Sequence, residues 1–145
     1  MRHKLKGNKL SRNTGHRNSL LKNLSSDLIL NESINTTLPK AKELKRYAEK
    51  LIHKAKTDSL HNRRLVISKI GSTDAYKKLF EDIGNRYKDR NGGYTRIIKL
   101  GNRKNDNSLV SIIEFVDFKK KTTSNEDSGS EVKDEVKSGD EEAKK

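Results

Sequence analysis

The chain has 145 residues, of which 30% are hydrophobic and 37% are charged, and its formal net charge is +13. This length supports one domain with a hydrophobic core, and the excess of positive charge indicates a polyanionic partner such as nucleic acid. The absence of cysteine excludes disulfides, thiolate nucleophiles and cysteine-based zinc sites, and no apolar run is long enough to predict a membrane span or a secretion signal.

Residues 1–12 are the first predicted element, a basic extended arm. The segment has no hydrophobic periodicity, and Gly7 and Asn8 in its middle disfavour a helix. Residues 1–26 contain seven lysines and arginines and no acidic residue. Because such a run repels itself unless phosphates neutralise it, we expect the arm to bind RNA and to become ordered on that partner. The alternative is an ordinary solvated terminus.

A first helix and a short strand are predicted next. The helix begins after Asn13 or Thr14, either of which can cap it. Its apolar stripe consists of Leu20, Leu21, Leu24 and Leu28. Residues 34–37 are rich in β-branched side chains and therefore predict a strand.

Three more helices are predicted before residue 85. The second helix begins where Pro39 follows Thr37, and one apolar face continues for four turns. That face consists of Ala41, Leu44, Ala48, Leu51, Ile52 and Ala55. Residues 60–70 predict a third helix that ends at Gly71. A fourth helix is predicted to be capped by Thr73 and closed by Gly84.

The periodicity changes from helical to extended after Gly92 and Gly93. Residues 94–100 and 109–118 are rich in Ile, Val, Tyr and Phe, and the polar segment 101–107 between them is typical of a turn. We expect the two segments to pair as an antiparallel hairpin. With the strand at 34–37 they predict an α+β fold, in which four or so helices pack on a small three-stranded mixed sheet.

Residues 119–145 are a charged tail in which positive charge no longer dominates. The tail has seven lysines, eight acidic residues, no aromatic residue and three apolar residues. Because this composition cannot offset the entropy lost on ordering, the tail is predicted to be disordered. The expected organisation is therefore a basic arm at 1–12, an α+β RNA-binding domain at 13–118 and a disordered tail at 119–145.

No pattern of residues indicates catalysis. None of the four histidines has the spacing of a helical metal-binding pair. Gly92 and Gly93 lack the Lys-Ser/Thr pair and the strand-to-helix context of a nucleotide-binding loop. We therefore expect no enzymatic activity, no cofactor, no metal site, no small-molecule substrate and no membrane partner.

The positive charge predicts several RNA-binding groups, and for some of them a structural role is equally open. The polar face of the second helix carries seven lysines and arginines and can be either solvated or bound to RNA. Arg63 and Arg64 can contact phosphate or cap the third helix. Tyr94 can stack on an unpaired base or pack on the helices. The predicted RNA-binding residues are Arg2, His3, Lys4, Lys6, Lys9, Arg12, His16, Arg17, Lys22, Arg63, Arg64, Tyr94, Arg96, Arg103 and Lys104.

Four motifs in order resemble the bacterial large-subunit ribosomal protein seventeen family. They are MRHKLKGNKLSRNTGHR at the N-terminus, TTLPKAKELKR at 36–46, GGYTRI at 92–97 and IEFVD at 113–117. The resemblance spans about residues 1–118, and it departs from the family at the hairpin turn, where Asn105 and Asp106 stand in place of Gly-Asp.

The resemblance implies a cytoplasmic component of the large ribosomal subunit that binds 23S ribosomal RNA, contacts neighbouring large-subunit proteins and has no catalytic role. The RNA-facing residues that it implies are Arg2, His3, Leu10, Arg12, His16, Arg17, Gly92, Gly93, Tyr94, Thr95 and Arg96, with Leu10 in a packing role.

Two other classes of function are compatible with the same charge. A free-standing regulator would bind DNA or RNA without joining a ribosome. An RNA-modifying enzyme would need a nucleophile or a cofactor loop, and the sequence shows neither. RNA is favoured over DNA because the sequence has no recognition-helix motif, zinc site or dimer zipper.

Overall fold

The computed structural model describes residues 7–117. The predicted tail and Arg2, His3, Lys4 and Lys6 of the predicted arm lie outside the described residues, and the division of the chain near residues 12 and 118 stays a prediction. The elements are α1 (Thr14–Asn31), β1 (Ser33–Thr37), α2 (Leu38–Ala55), α3 (Leu60–Ile67), α4 (Thr73–Lys78), β2 (Thr95–Asn102) and β3 (Leu109–Phe115). Helix α4 continues through a π-helical turn (Leu79–Ile83) into a last helical turn (Gly84–Arg86). The predicted α+β class is confirmed.

The sheet has the strand order β1-β3-β2 and is antiparallel throughout. The prediction of a mixed sheet is therefore wrong in this detail. Strands β1 and β2 run in the same direction, but β3 lies between them and pairs with both: Ile113 is opposite Ile34 on one side and Ile97 on the other. A bulge between Lys99 and Gly101 interrupts the pairing of β2 with β3.

Helix α2 packs its apolar face against the sheet and the other helices. All six residues of the predicted stripe are buried, from Ala41 and Leu44 at 0% exposure to Ala55 at 4%. They share the core with Ile113 and Phe115 of β3. Burial of these side chains is the main contribution that holds the helices on the sheet.

The caps and ends of the helices agree only in part with the sequence predictions. Asn13 is the cap of α1, because its side chain accepts a hydrogen bond from the His16 amide at 2.9 Å. The predicted cap of the fourth helix, Thr73, is wrong by one residue: the Ser72 hydroxyl accepts from the Ala75 amide. The third helix ends at Ile67, before the predicted limit.

Gly84 does not close the fourth helix, as predicted, but lies inside it with φ −59°. A side chain here would place its Cβ 2.8 Å from the carbonyl oxygen of Ala55. The glycine therefore allows the helix to approach the end of α2 closely. Within residues 7–117, no helix has both the length and the apolar character needed to cross a membrane.

Candidate nucleic-acid interface

The face of α2 opposite the core is a ridge of basic residues with a groove on each side. Arg46, Lys50 and His53 are exposed on this face, and Lys54 is half-buried beside them. Arg46, Lys50 and Lys54 follow one another at four-residue spacing, so their side chains lie along one line of the helix surface.

The first groove, here called the arm-side groove, lies between α2 and the start of the described chain. It has a volume of about 280 Å³ and is lined by Gly7, Leu21, Glu43, Arg46, Tyr47 and Lys50. The Asn8 amide and its side-chain nitrogen each donate a hydrogen bond to Glu43 Oε1 at 3.1 Å. The arm is therefore attached to α2 at Asn8, in the middle of the predicted segment.

The second groove, here called the loop-side groove, lies between α2 and the loop that precedes β2. It has a volume of about 480 Å³ and is lined by Arg46, Glu49, Lys50, His53, Lys54, Asn91, Gly92 and Tyr94. Arg46 and Lys50 line both grooves. The basic ridge therefore lies between Gly7 of the arm and Gly92 of the glycine loop.

The predicted binding residues near the N-terminus carry positive charge that the domain does not neutralise. Lys9, Arg12 and His16 are exposed, and Arg17 and Lys22 are half-buried. None of them forms an ion pair with an acidic residue among residues 7–117. Their RNA-binding role stays a prediction, and no acidic side chain among the described residues competes for their charge.

Leu10 and its neighbours form a turn instead of an extended chain. The Arg12 amide donates to the Lys9 carbonyl at 3.2 Å, and Arg12 Nη1 donates to the Leu10 carbonyl at 2.9 Å. Leu10 and Ser11 both adopt positive φ. The segment from Lys9 to Arg12 is thus compact where an extended arm was expected.

Arg63 and Arg64 have different environments. Arg63 binds both carboxylate oxygens of Asp58, at 2.5 and 2.6 Å, and its guanidinium lies 5.1 Å from the centre of the Phe80 ring. The Arg63 hydrogen bond lowers the pKa of Asp58. Arg64 is exposed and has no acidic partner within residues 7–117. Asp58 and Phe80 therefore hold Arg63, whereas no acidic residue among residues 7–117 holds Arg64, and a phosphate contact of either arginine stays a prediction.

Tyr94 is a core residue, so the structure favours the alternative in which its ring packs on the helices, and a contact of Tyr94 with RNA stays a prediction. The residue is 2% exposed, its ring centre lies 5.3 Å from that of Tyr87, and its hydroxyl donates to the Arg90 carbonyl. Neighbouring Thr95 is equally buried. An aromatic residue flanked by cations is ambiguous in sequence because a tyrosine can satisfy its hydroxyl inside a core as well as at a surface.

Two arginines of the hairpin pair with acidic residues. Arg96 on β2 contacts Glu114 on β3, and Arg103 in the turn binds both oxygens of Asp106 at 2.8 and 2.6 Å. The Arg103 hydrogen bond lowers the pKa of Asp106 well below its usual range. Of the predicted hairpin cations, only Lys104 is exposed without such a partner among the described residues.

The sequence leaves the α2 cations with two interpretations, a solvated face or an RNA contact, and the structure places Arg46, Lys50 and Lys54 beside the two grooves. The four-residue spacing of Arg46, Lys50 and Lys54 was the signal that could have identified them. The proximity of this stripe to Gly92 depends on tertiary structure, which the sequence pattern does not show. Among residues 7–117 no three His, Asp or Glu side chains are grouped as a metal site would require.

Comparison with known proteins places this architecture in a family. The family model "Ribosomal protein L17" matches residues 20–116. A protein of Erythrobacter litoralis named "Large ribosomal subunit protein bL17" is 48% identical over 135 residues, which cover 93% of this chain and 96% of the relative. Proteins of the same name from Sphingopyxis alaskensis and Flavobacterium johnsoniae are each 52% identical, over 81% of this chain and 84% and 72% of the relatives. The chain belongs to the ribosomal protein L17 family.

Proposed function

We propose that this protein is a structural constituent of the bacterial large ribosomal subunit and binds 23S ribosomal RNA through its arm and basic surface patches. The names of the relatives support membership of the large subunit, and this assignment gives the protein a cytoplasmic location on the ribosome. Its partners are then 23S ribosomal RNA and neighbouring large-subunit proteins. Its role is to bind and support folded RNA, without catalysis.

The observation that carries the proposal is the α2 ridge between the two grooves, where Lys50 and Lys54 have no acidic partner among residues 7–117 and Arg46 is paired with Glu43. Residues 1–118 have 26 lysines and arginines against 12 acidic residues. Several acids are used inside the domain, where Glu32 and Glu114 neutralise Arg86 and Arg96. The cations on the ridge and at the start of α1 therefore dominate the outer surface, which suits a phosphate backbone.

Sedimentation of a cell lysate in a sucrose gradient tests membership of the subunit. A tagged copy of the full chain is expected to sediment with the large subunit and to remain there at high salt, because an integral component is held by many contacts. A free-standing regulator would be found at the top of the gradient or with the nucleoid, and either result would contradict the proposal. Treatment with ribonuclease and, separately, with deoxyribonuclease identifies the nucleic acid that holds the protein.

Filter binding tests the choice of RNA. The purified full chain is titrated with 23S RNA, 16S RNA and duplex DNA at one fixed salt concentration, because affinities at different salt cannot be compared. We expect the highest affinity for 23S RNA. Equal affinity for all three would show that binding is only electrostatic and would argue against a specific 23S site.

A further inference from the structure

The loop-side groove combines positive charge with free backbone donors. Lys50 and Lys54 line it and form no ion pair with an acidic residue in residues 7–117. Gly92 lines the opposite wall, and the amides of Gly92 and of its chain neighbour Gly93 donate no hydrogen bond to any described residue. Both glycines are exposed. Phosphate is bound well by backbone amides that lie next to lysine side chains.

Gly92 and its neighbour Gly93 are not required by packing inside the domain. A Cβ at Gly92 or Gly93 would meet nothing within 4 Å, in contrast to Gly84, where it would clash with α2. Gly93 has φ +63°, which glycine adopts readily. Gly92 has φ +154°, which residues with a side chain rarely adopt, and its lack of a side chain leaves the backbone at the groove accessible to a ligand.

The size and remaining charges of the groove suit a nucleotide. Its volume of about 480 Å³ falls in the range of roughly 300–1,000 Å³ of small-ligand pockets. Glu49 also lines the groove, with Lys45 at 3.9 Å from its carboxylate. A carboxylate repels a bare phosphate ion, but it can accept hydrogen bonds from the ribose hydroxyl and base amino groups of RNA. RNA therefore fits the lining better than free phosphate.

We propose that the loop-side groove holds a short stretch of RNA backbone, with Lys50 and Lys54 paired to phosphates and the amides of Gly92 and Gly93 donating hydrogen bonds to them. This inference rests on the proposed function and adds a defined contact site to it. The site is separate from the arm, because the arm is attached at Glu43 on the other side of the ridge.

Salt-dependent binding tests the lysines. The double variant Lys50→Gln/Lys54→Gln should lower the slope of log affinity against log salt by about 1.4 to 1.8, since each lost phosphate contact removes roughly 0.7 to 0.9. The matched control is Lys77→Gln/Lys88→Gln, which removes two exposed lysines that line neither groove. If both double variants change the slope equally, charge alone matters and the groove is not a site.

Crosslinking tests the occupant directly. The chain has no cysteine, so His53→Cys introduces a unique thiol beside the groove, and Lys77→Cys provides the control. Large subunits that contain the variant are treated with a thiol-directed photocrosslinker. Attachment of the thiol at position 53 to one short region of 23S RNA is expected. Attachment only to a protein, or full alkylation of the thiol in assembled subunits, would overturn the proposal. Failure of the wild-type chain to enter large subunits would instead contradict the proposed function.

Discussion

Glu32 is a single carboxylate that joins three parts of the domain. It ends α1 with φ +62° and is 8% exposed. Its oxygens accept hydrogen bonds from Arg86 at 2.9 and 3.2 Å, and Lys78 Nζ lies 3.0 Å away. Burial alone would raise the pKa of Glu32, but the hydrogen bonds from Arg86 and Lys78 outweigh it and lower the pKa from 4.5 to about 2.

This pKa predicts acid sensitivity. Because the folded-state pKa lies below that of the unfolded chain, the stabilisation is fully present above pH 4.5 and is lost as the pH falls from 4.5 towards 2. The shift corresponds to at most about 3 kcal/mol. Urea unfolding at several pH values should show that acidification lowers the free energy of unfolding less for Glu32→Gln than for wild type. At pH 7 the variant should be less stable than wild type. Equal acid losses in both proteins would contradict this role.

Gly84 is the residue at which a single methyl group should matter most. Gly84→Ala places its Cβ 2.8 Å from the Ala55 carbonyl oxygen. Overpacking of this kind costs about 1–3 kcal/mol, which exceeds the gain of about 1 kcal/mol that alanine brings to a helix. The matched control is Gly15→Ala in α1, where the nearest atom is 3.8 Å away. Urea unfolding should show a lower free energy of unfolding for Gly84→Ala than for wild type, and no decrease for Gly15→Ala.

The arm is the element whose contribution to RNA binding is most easily separated from folding. Deletion of residues 2–12 removes five lysines and arginines and none of the buried core. The remaining chain should keep its helicity and its thermal transition. The slope of log affinity against log salt should fall by about 0.7 to 0.9 for each phosphate contact that is lost. If affinity and slope for 23S RNA are unchanged, the arm is a solvated terminus, and the ridge and hairpin carry binding.

Elements with strong local signals were predictable, and those set by distant contacts were not. The α2 stripe and the β2–β3 hairpin follow from periodicity, and every predicted α2 core position is buried. The cap of the fourth helix was misassigned because Ser72 and Thr73 are adjacent hydroxyl residues, and either can accept an amide hydrogen bond. Gly84 resembled a helix terminator because its contact with Ala55 is visible only in the folded chain.

Across the whole molecule, the excess of positive charge was predictable, but the ion pairs that individual arginines form were not. Composition indicates a basic surface, yet Arg63, Arg96 and Arg103 are each held by an acidic residue. The partner of Arg96 is 18 residues away, beyond any local pattern. The sheet was wrongly predicted to be mixed because its pairing also depends on contacts between distant residues. Since β3 occupies the centre, both pairs of neighbouring strands are antiparallel. On the α2 ridge Arg46 is likewise paired with Glu43, whereas Lys50 and Lys54 have no acidic partner among residues 7–117. The candidate interface therefore moves from the hairpin towards these two lysines.

The central position of β3 has a consequence for the order in which the protein is made. Residues 109–115 are the last strand in the chain, but they pair with both β1 and β2. During synthesis the arm and helices leave the ribosome first, and neither earlier strand has a partner until β3 appears. The segment proposed to bind RNA is thus exposed before the domain can close.

A chain that ends at Asn107 should therefore retain helical signal but lack a cooperative thermal transition, and proteases should degrade it quickly. A chain that ends at Phe118 keeps every strand and should unfold cooperatively like the full protein. Circular dichroism and limited proteolysis of the two truncated chains test this prediction. A cooperative thermal transition in the chain that ends at Asn107 would contradict it. A nascent chain stopped anywhere before residue 109 would then present the arm that we propose to bind RNA on an unfinished fold, and only synthesis through β3 would yield a domain that withstands proteolysis.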